Sequence, residues 1–125
     1  MLLDTHTAWW VIRKPQKLGK AFIRKLDRNR TAFFSPLSIF ELLQKNAKQN
    51  MGVPANLQRV FLGSGLVELH LTGEHAANAL NFNHQLTDPF DRLLLAQAEF
   101  EQIDFYTQDS KILSMGLNFV KDAGL

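Results

Sequence analysis

Four aspartates stand at the ends of apolar runs, where a carboxylate can either cap a helix or face a ligand. Asp4 closes MLLD and precedes the polar THT, Asp109 follows the apolar IDFYT in TQDS, and Asp88 and Asp91 bracket Pro-Phe in DPFDRLLLAQAEF. Asp88, directly ahead of Pro89, suits a helix N-cap, since proline at the first helical position gives up no needed N–H. Asp91 then falls on the third helical position, where a negative charge complements the helix dipole or reaches back to the cap. Asp4 and Asp109 each follow a predicted strand. In an open parallel sheet, ligands gather outside the carboxyl ends of strands, where the strand order reverses. The plainer role for an aspartate just after a strand is a turn or a cap. Two strand-end carboxylates in one such domain can also converge on a single site.

The elements that must hold these residues follow from the pattern. MLLD reads as a buried strand and TAWWVI as a short helix ended by Pro15. KLGKAFIRKLDRN sets Leu18, Phe22 and Leu26 at i, i+4 and i+8 among basic residues, which predicts an amphipathic helix. TAFFS is a second strand, and SPLSIFELLQKNAKQ a helix with Ser35 as N-cap and Pro36 in its first turn, ended by Gly52 and Pro54. ANLQRVFLG is helical up to Gly63 and Gly65, LVELHL is a third strand, and Thr72 caps EHAANALNF. IDFYT supplies a fourth strand and LNFV a short fifth. Strands alternating with helices predict one α/β domain over residues 1–125, with a mostly parallel sheet of four to five strands.

Composition narrows the partners. Residues 1–60 hold 11 Lys and Arg against 3 acids, a net +8, whereas residues 61–125 carry a net −6. The positive charge concentrates between Arg13 and Arg30 and includes Arg13, Lys14, Lys17, Lys20, Arg24 and Lys25, opposed only by Asp27. Such a stretch can bind a polyanion, although basic surface helices are also common. Cysteine is absent, so disulfides and thiolate metal sites are excluded. No apolar run approaches the ~20 residues of a membrane span, and no basic-then-apolar leader opens the chain. His6, His70, His75 and His84 are scattered without ligand spacing, and neither a Ser-His-Asp motif nor a phosphate-cradling glycine loop is present.

In this order and spacing, LLDTH, DPFDRLLLAQA and TQD resemble the PIN domain, and more narrowly the VapC-like toxins of bacterial toxin–antitoxin pairs, over nearly the whole chain. DPFDRLLLAQA is the most specific of the three. The resemblance implies a three-layer α/β/α sandwich and a cytoplasmic, Mg²⁺- or Mn²⁺-dependent endoribonuclease. It also implies an RNA substrate, with a transfer or ribosomal RNA site as the expectation. A cognate VapB-like antitoxin would lie across the acidic pocket, and a homodimer would bring two sites together. The family's acidic site maps onto Asp4, onto Glu41 in the S-x-x-E segment SIFE, onto Asp91 and onto Asp109, while Asp88 matches a helix-start aspartate outside the metal set. Thr5 and Thr107 match positions that hydrogen-bond the carboxylates. Phe40 stands where many relatives have Trp, and Gln108 and Ser110 flank Asp109 where charged residues are frequent; none of the four acids is missing.

The chemistry of these residue types is consistent with that set. Mg²⁺ and Mn²⁺ prefer hard oxygen ligands, and Mg²⁺ keeps several waters while taking one or two carboxylates directly. Carboxylates packed together without a cation repel one another, and at least one pKa should rise. On this reading Asp4 and Asp91 contact the metal most directly, Asp109 lies near, and Glu41 holds a second ion or orients the attacking water. The basic segment then becomes a groove for a phosphate backbone. Trp9, Trp10 and Phe22 are more suited to the core or a partner surface than to stacking on bases, and Arg92 is expected to pair with a neighbouring acid. Two alternatives remain: a PIN-like module that binds RNA or protein without turnover, and a PIN nuclease outside any toxin–antitoxin pair.

Overall fold

The strands are short, two or three residues each, and helices connect them in chain order. The computed structural model describes residues 1–28 and 30–125. Asn29, the last residue of the predicted basic helix, lies outside the described residues. In chain order the elements are β1 (Leu2–Leu3), α1 (Thr5–Arg13), α2 (Lys20–Asp27), β2 (Phe33–Phe34), α3 (Pro36–Gln49), α4 (Leu57–Gly63) and β3 (Val67–Glu68). They continue as α5 (Gly73–Asn78), α6 (Pro89–Glu101), β4 (Phe105–Thr107), α7 (Ser110–Leu113) and β5 (Val120–Asp122). The sheet order is β3-β2-β1-β4-β5 and every pairing is parallel, with Leu2 opposite both Phe33 and Phe105. From β1 the chain winds outward first through β2 and β3, then returns to β4 on the other side. The strand order therefore reverses between β1 and β4, and a crevice forms beyond their carboxyl ends.

Alternation along the strands divides the core in two. Leu3, Phe34 and Tyr106 face one side, where they pack with Ala8 and Trp9 of α1, Phe22 of α2, Leu42 of α3, and Leu57 and Phe61 of α4. Leu2 and Phe105 face the other side and meet Phe82, Leu94, Leu95 and Ala98 around α6, with Ile112 of α7. The result is a three-layer α/β/α sandwich. Phe34 is fully buried with its ring centroid 4.9 Å from that of Phe61, so truncation to alanine should cost ~3–5 kcal/mol.

Caps fix where the helices begin. The Ser35 hydroxyl accepts from Leu37 N–H at the start of α3, and Thr72 and His75 form a reciprocal capping box on α5. The predicted basic helix, residues 17–29, starts later than expected: Lys17 closes a 3₁₀ turn over Pro15–Lys17, and α2 begins at Lys20 with Gly19 as an N-cap that has no side chain to offer. The far end of the chain supplies the missing acceptor: the Leu125 backbone oxygen takes the Phe22 N–H at 2.9 Å. The third strand is shorter than LVELHL. The fifth begins only at Val120, because Gly116 (φ 71°) and the turn after it occupy the first residues of LNFV.

Candidate active site

Asp4 leaves β1 and caps α1, so its carboxylate is fixed by both elements. One oxygen, Oδ1, accepts from Thr5 N–H at 2.7 Å, and Oδ2 accepts from Thr107 Oγ1 of β4, also at 2.7 Å. Thr107 Oγ1 in turn accepts from Asp109 N–H at 3.0 Å. The neighbouring hydroxyl of Thr5 reaches Glu41 Oε1 at 2.7 Å and Ser38 Oγ at 2.9 Å. A carboxylate only accepts, so Thr5 gives its single proton to Glu41 and receives that of Ser38. Lys45, one turn beyond Glu41 on α3, lies 3.8 Å from its other oxygen and 3.4 Å from His6 Nε2. Two threonines thus join Asp4, Glu41 and Asp109 into one hydrogen-bonded chain across β1, α3 and β4.

Asp91 lies in the first turn of α6, which packs on the opposite face of the sheet. Asp88 caps that helix by accepting from Phe90 N–H at 2.8 Å and Asp91 N–H at 3.4 Å. Of the two carboxylates of DPFD, Asp88 is therefore spent on the backbone, while Asp91 sits half-buried within the field of the other acids. Burial, then the charges of Asp88, Asp4, Asp109 and Glu41, push the Asp91 carboxyl up to about 7. Asp4 is also raised, chiefly by burial, with the Glu41 charge adding; the bonds from Thr107 and Thr5 and the nearby His6 pull it back. His6 is lowered by burial and by the Lys45 ammonium. Asp109 stays near the surface and caps α7 through Lys111 N–H at 2.8 Å.

The donor set is all oxygen, which suits a hard divalent ion. Among the described residues no three His or carboxylate side chains close tightly enough on one point to cage an ion. The acids are instead held apart by hydroxyls and N–H groups. This spacing fits an ion that keeps much of its water and takes only one or two carboxylates directly.

The cations of the amino-terminal half divide among three surfaces. Lys17 lies over the Trp10 ring, 5.2 Å from its centroid, and its carbonyl accepts from Gln108 Nε2 at 2.8 Å, so it borders the acids. Arg13 lies over Trp9 and lines a separate cleft with Lys14, Met51 and Gly52. Lys20 and Arg24 line a groove with Pro15, Leu18 and Ile23, and Lys25 donates to the Tyr106 hydroxyl at 3.2 Å. Trp9 and Phe22 are core residues, whereas Trp10 is half-buried. Among the described residues Arg92 pairs with no acid: it donates to Asn83 Oδ1 and to the Thr87 carbonyl, closing the loop before α6. Sequence reading gave no role to Ser38 or Lys45. Both are legible in retrospect, since Ser38 opens the S-x-x-E segment and Lys45 follows Glu41 at the i,i+4 spacing of a helical ion pair.

A doubly wound parallel sheet with an acidic cluster at its strand-order reversal defines the class. The particular family follows from sequence: a PIN-domain model matches residues 1–116, and the chain belongs to the PIN-domain family. No curated protein sequence matches it significantly. Among solved structures it is similar to one described as VapBC2 from Rickettsia felis bound to a promoter DNA fragment (16% identity, TM-score 0.69, 97% of this chain and 96% of that one). It is also similar to DNA-bound VapBC from Salmonella typhimurium (19%, 0.68, 97% and 96%). A third is VapC20 of Mycobacterium tuberculosis, a sarcin-ricin loop cleaving toxin (14%, 0.65, 96% and 98%).

Proposed function

We propose that this chain is a divalent-metal-dependent endoribonuclease that hydrolyses RNA phosphodiester bonds, and the toxin of a toxin–antitoxin pair. One observation carries the reading: Asp4, bonded through Thr5 and Thr107 to its neighbours, lies at the sheet's strand-order reversal, and Asp91 is pushed up to about 7 by burial first and then by the charges of Asp88, Asp4, Asp109 and Glu41. A protein gains nothing in stability from such an arrangement, and perturbed acids in a crevice mark functional sites. Similarity to a toxin–antitoxin complex and to VapBC2 supports the partner, and similarity to a sarcin-ricin loop cleaving toxin supports the substrate class.

Mg²⁺ or Mn²⁺, when bound, would polarise a phosphate oxygen and lower the pKa of a water. Asp4 and Asp91 are the residues that would hold it, with Asp109 beside them and Glu41 for a second ion or the attacking water. The chain's own work is orientation. Thr107 and the Thr5 N–H fix both oxygens of Asp4, and Ser38, through Thr5, fixes Glu41. Lys17 and its basic neighbours would retain the phosphate backbone, so affinity should fall steeply with salt. A VapB-like antitoxin would cover the acids, and a homodimer is the expected assembly.

The test is RNA cleavage by purified protein with Mg²⁺ or Mn²⁺, with EDTA, and with Asp4→Asn. Cleavage that survives chelation or the substitution rules the mechanism out. A second reading, an RNA-binding module without turnover, draws support from the basic residues Arg13, Lys14, Lys17, Lys20 and Arg24, which are all exposed. It requires RNA affinity unchanged by Asp91→Ala and no metal-dependent cutting of any RNA.

A further inference from the structure

A cleft of about 300 Å³ opens directly against two of the acids, lined by Asp4, His6, Thr7, Trp10, Gln108 and Asp109. Its walls are unlike those of a site that handles phosphate alone. The half-buried indole of Trp10 stands one and a half turns along α1 from Asp4, with the His6 ring 5.8 Å away and tilted by 38°. The exposed Lys17 ammonium covers the same indole, and the loop carrying Asp109 is tied to the Lys17 turn through the Gln108 amide. A carbonyl oxygen only accepts, so the bond to the Lys17 carbonyl identifies the bonded atom of Gln108 as its amide nitrogen and leaves the amide oxygen as a remaining acceptor. Thr7 is 1% exposed, and its hydroxyl has no hydrogen-bond partner among the described residues. A buried hydroxyl without a partner costs free energy, and from a cleft wall a rotation of the side chain offers it to a ligand with a polar edge.

We infer that this cleft is a nucleobase subsite: Trp10 is the stacking platform for the base next to the scissile phosphate, with Gln108 and Thr7 at the base's polar edge. The inference rests on the RNA-cleaving reading for the placement of the phosphate, and adds the group that holds its neighbour. The volume lies at the lower end of small-molecule sites, enough for one planar ring system and too little for a folded peptide segment. Aromatic faces accept any base by stacking, and an ammonium already resting on the indole can move to the adjoining phosphate when a base replaces it. Trp10 therefore contributes affinity for single-stranded RNA, and Gln108 contributes preference among bases.

The experiment compares short single-stranded oligoribonucleotides with an abasic chain of equal length and charge. Binding is measured in EDTA to the wild type, Trp10→Phe, Trp10→Ala and Lys17→Ala, with thermal melts to confirm folding. Trp10→Ala should weaken binding of base-bearing RNA by roughly 5- to 150-fold and leave the abasic chain unchanged, with Trp10→Phe retaining most of the affinity. Lys17→Ala should weaken both probes alike. Sequencing of cleaved ends should show an altered base preference for Gln108→Glu. Equal loss on both probes, or no loss on either, overturns the subsite, as does a Trp10→Ala protein that binds RNA normally but fails to bind its antitoxin. If the wild type cuts no RNA while Trp10→Ala still weakens binding of base-bearing RNA alone, the nuclease reading fails and the subsite stands.

Discussion

Replacing Asp91 with Asn separates the energetics of the acid cluster from its chemistry. A tenfold change in proton affinity is ~1.4 kcal/mol, so moving the carboxyl from 3.8 to about 7 sets a ceiling of ~4 kcal/mol on the cost of ionising it in the folded protein. Asp91 is only partly covered, and water and salt screen its neighbours, which reduces the cost to ~1–2 kcal/mol. Its charge also favours the first turn of α6 by ~0.3–1 kcal/mol, which Asn forgoes. The net gain from Asp91→Asn is therefore ~1 kcal/mol, or roughly 3–5 °C in Tm for a chain of this size. The sign depends on pH. The folded-state pKa lies above the unfolded one, so the cost is absent below pH 3.8, grows between 3.8 and about 7, and is complete above that range. Thermal melts in EDTA should show the variant more stable at about pH 8 and equal to wild type at about pH 3. RNA cleavage should be lost at the same time. A variant less stable at the higher pH, or equally favoured at both, refutes the idea that ionising this buried, acid-flanked carboxyl costs stability.

Three further substitutions or additions probe the supporting structure. Thr107→Val removes the hydroxyl on Asp4 Oδ2 and should cost ~1–3 kcal/mol at neutral pH in urea unfolding, with the loss shrinking as Asp4 is protonated in acid. Gly19→Ala would bring a Cβ to 2.1 Å from the Leu125 backbone oxygen. It should displace the carboxyl-terminal segment from α2, cost ~1–3 kcal/mol, and increase amide exchange at Phe22. Mg²⁺ should raise the Tm of the wild type at about pH 8 and do so less for Asp4→Asn, because a cation that binds only the folded state stabilises it by mass action.

Much of this molecule is legible in its sequence, and the exceptions have physical causes. Short apolar runs and helical patterns locate the strands and the longer helices, and the cap chemistry of Ser35, Thr72 and Asp88 marks three helix starts. The positions of Asp4 and Asp109 after strands point to the sheet's carboxyl edge, and the reversal between β1 and β4 brings both to it. Local pattern fails where a partner is remote. Gly19 looks like a poor cap until Leu125 arrives from the other end of the chain. Arg92 is expected to meet an acid, but its two terminal nitrogens go to Asn83 and to a carbonyl of the preceding loop. The role of Glu41 was read from family resemblance, since a mid-helix glutamate has no signature of its own. Its tie to Asp4 through Thr5 depends on helix α3 crossing α1, which no local window records.

The most direct measurement is a carbon-13 NMR titration of the aspartate carboxyls, with and without Mg²⁺. Asp91 should titrate near 7 in the metal-free protein and fall toward the ordinary carboxylate range once the cation is present. If Asp91 titrates like a free aspartate and ignores Mg²⁺, the four acids do not form a shared cation site.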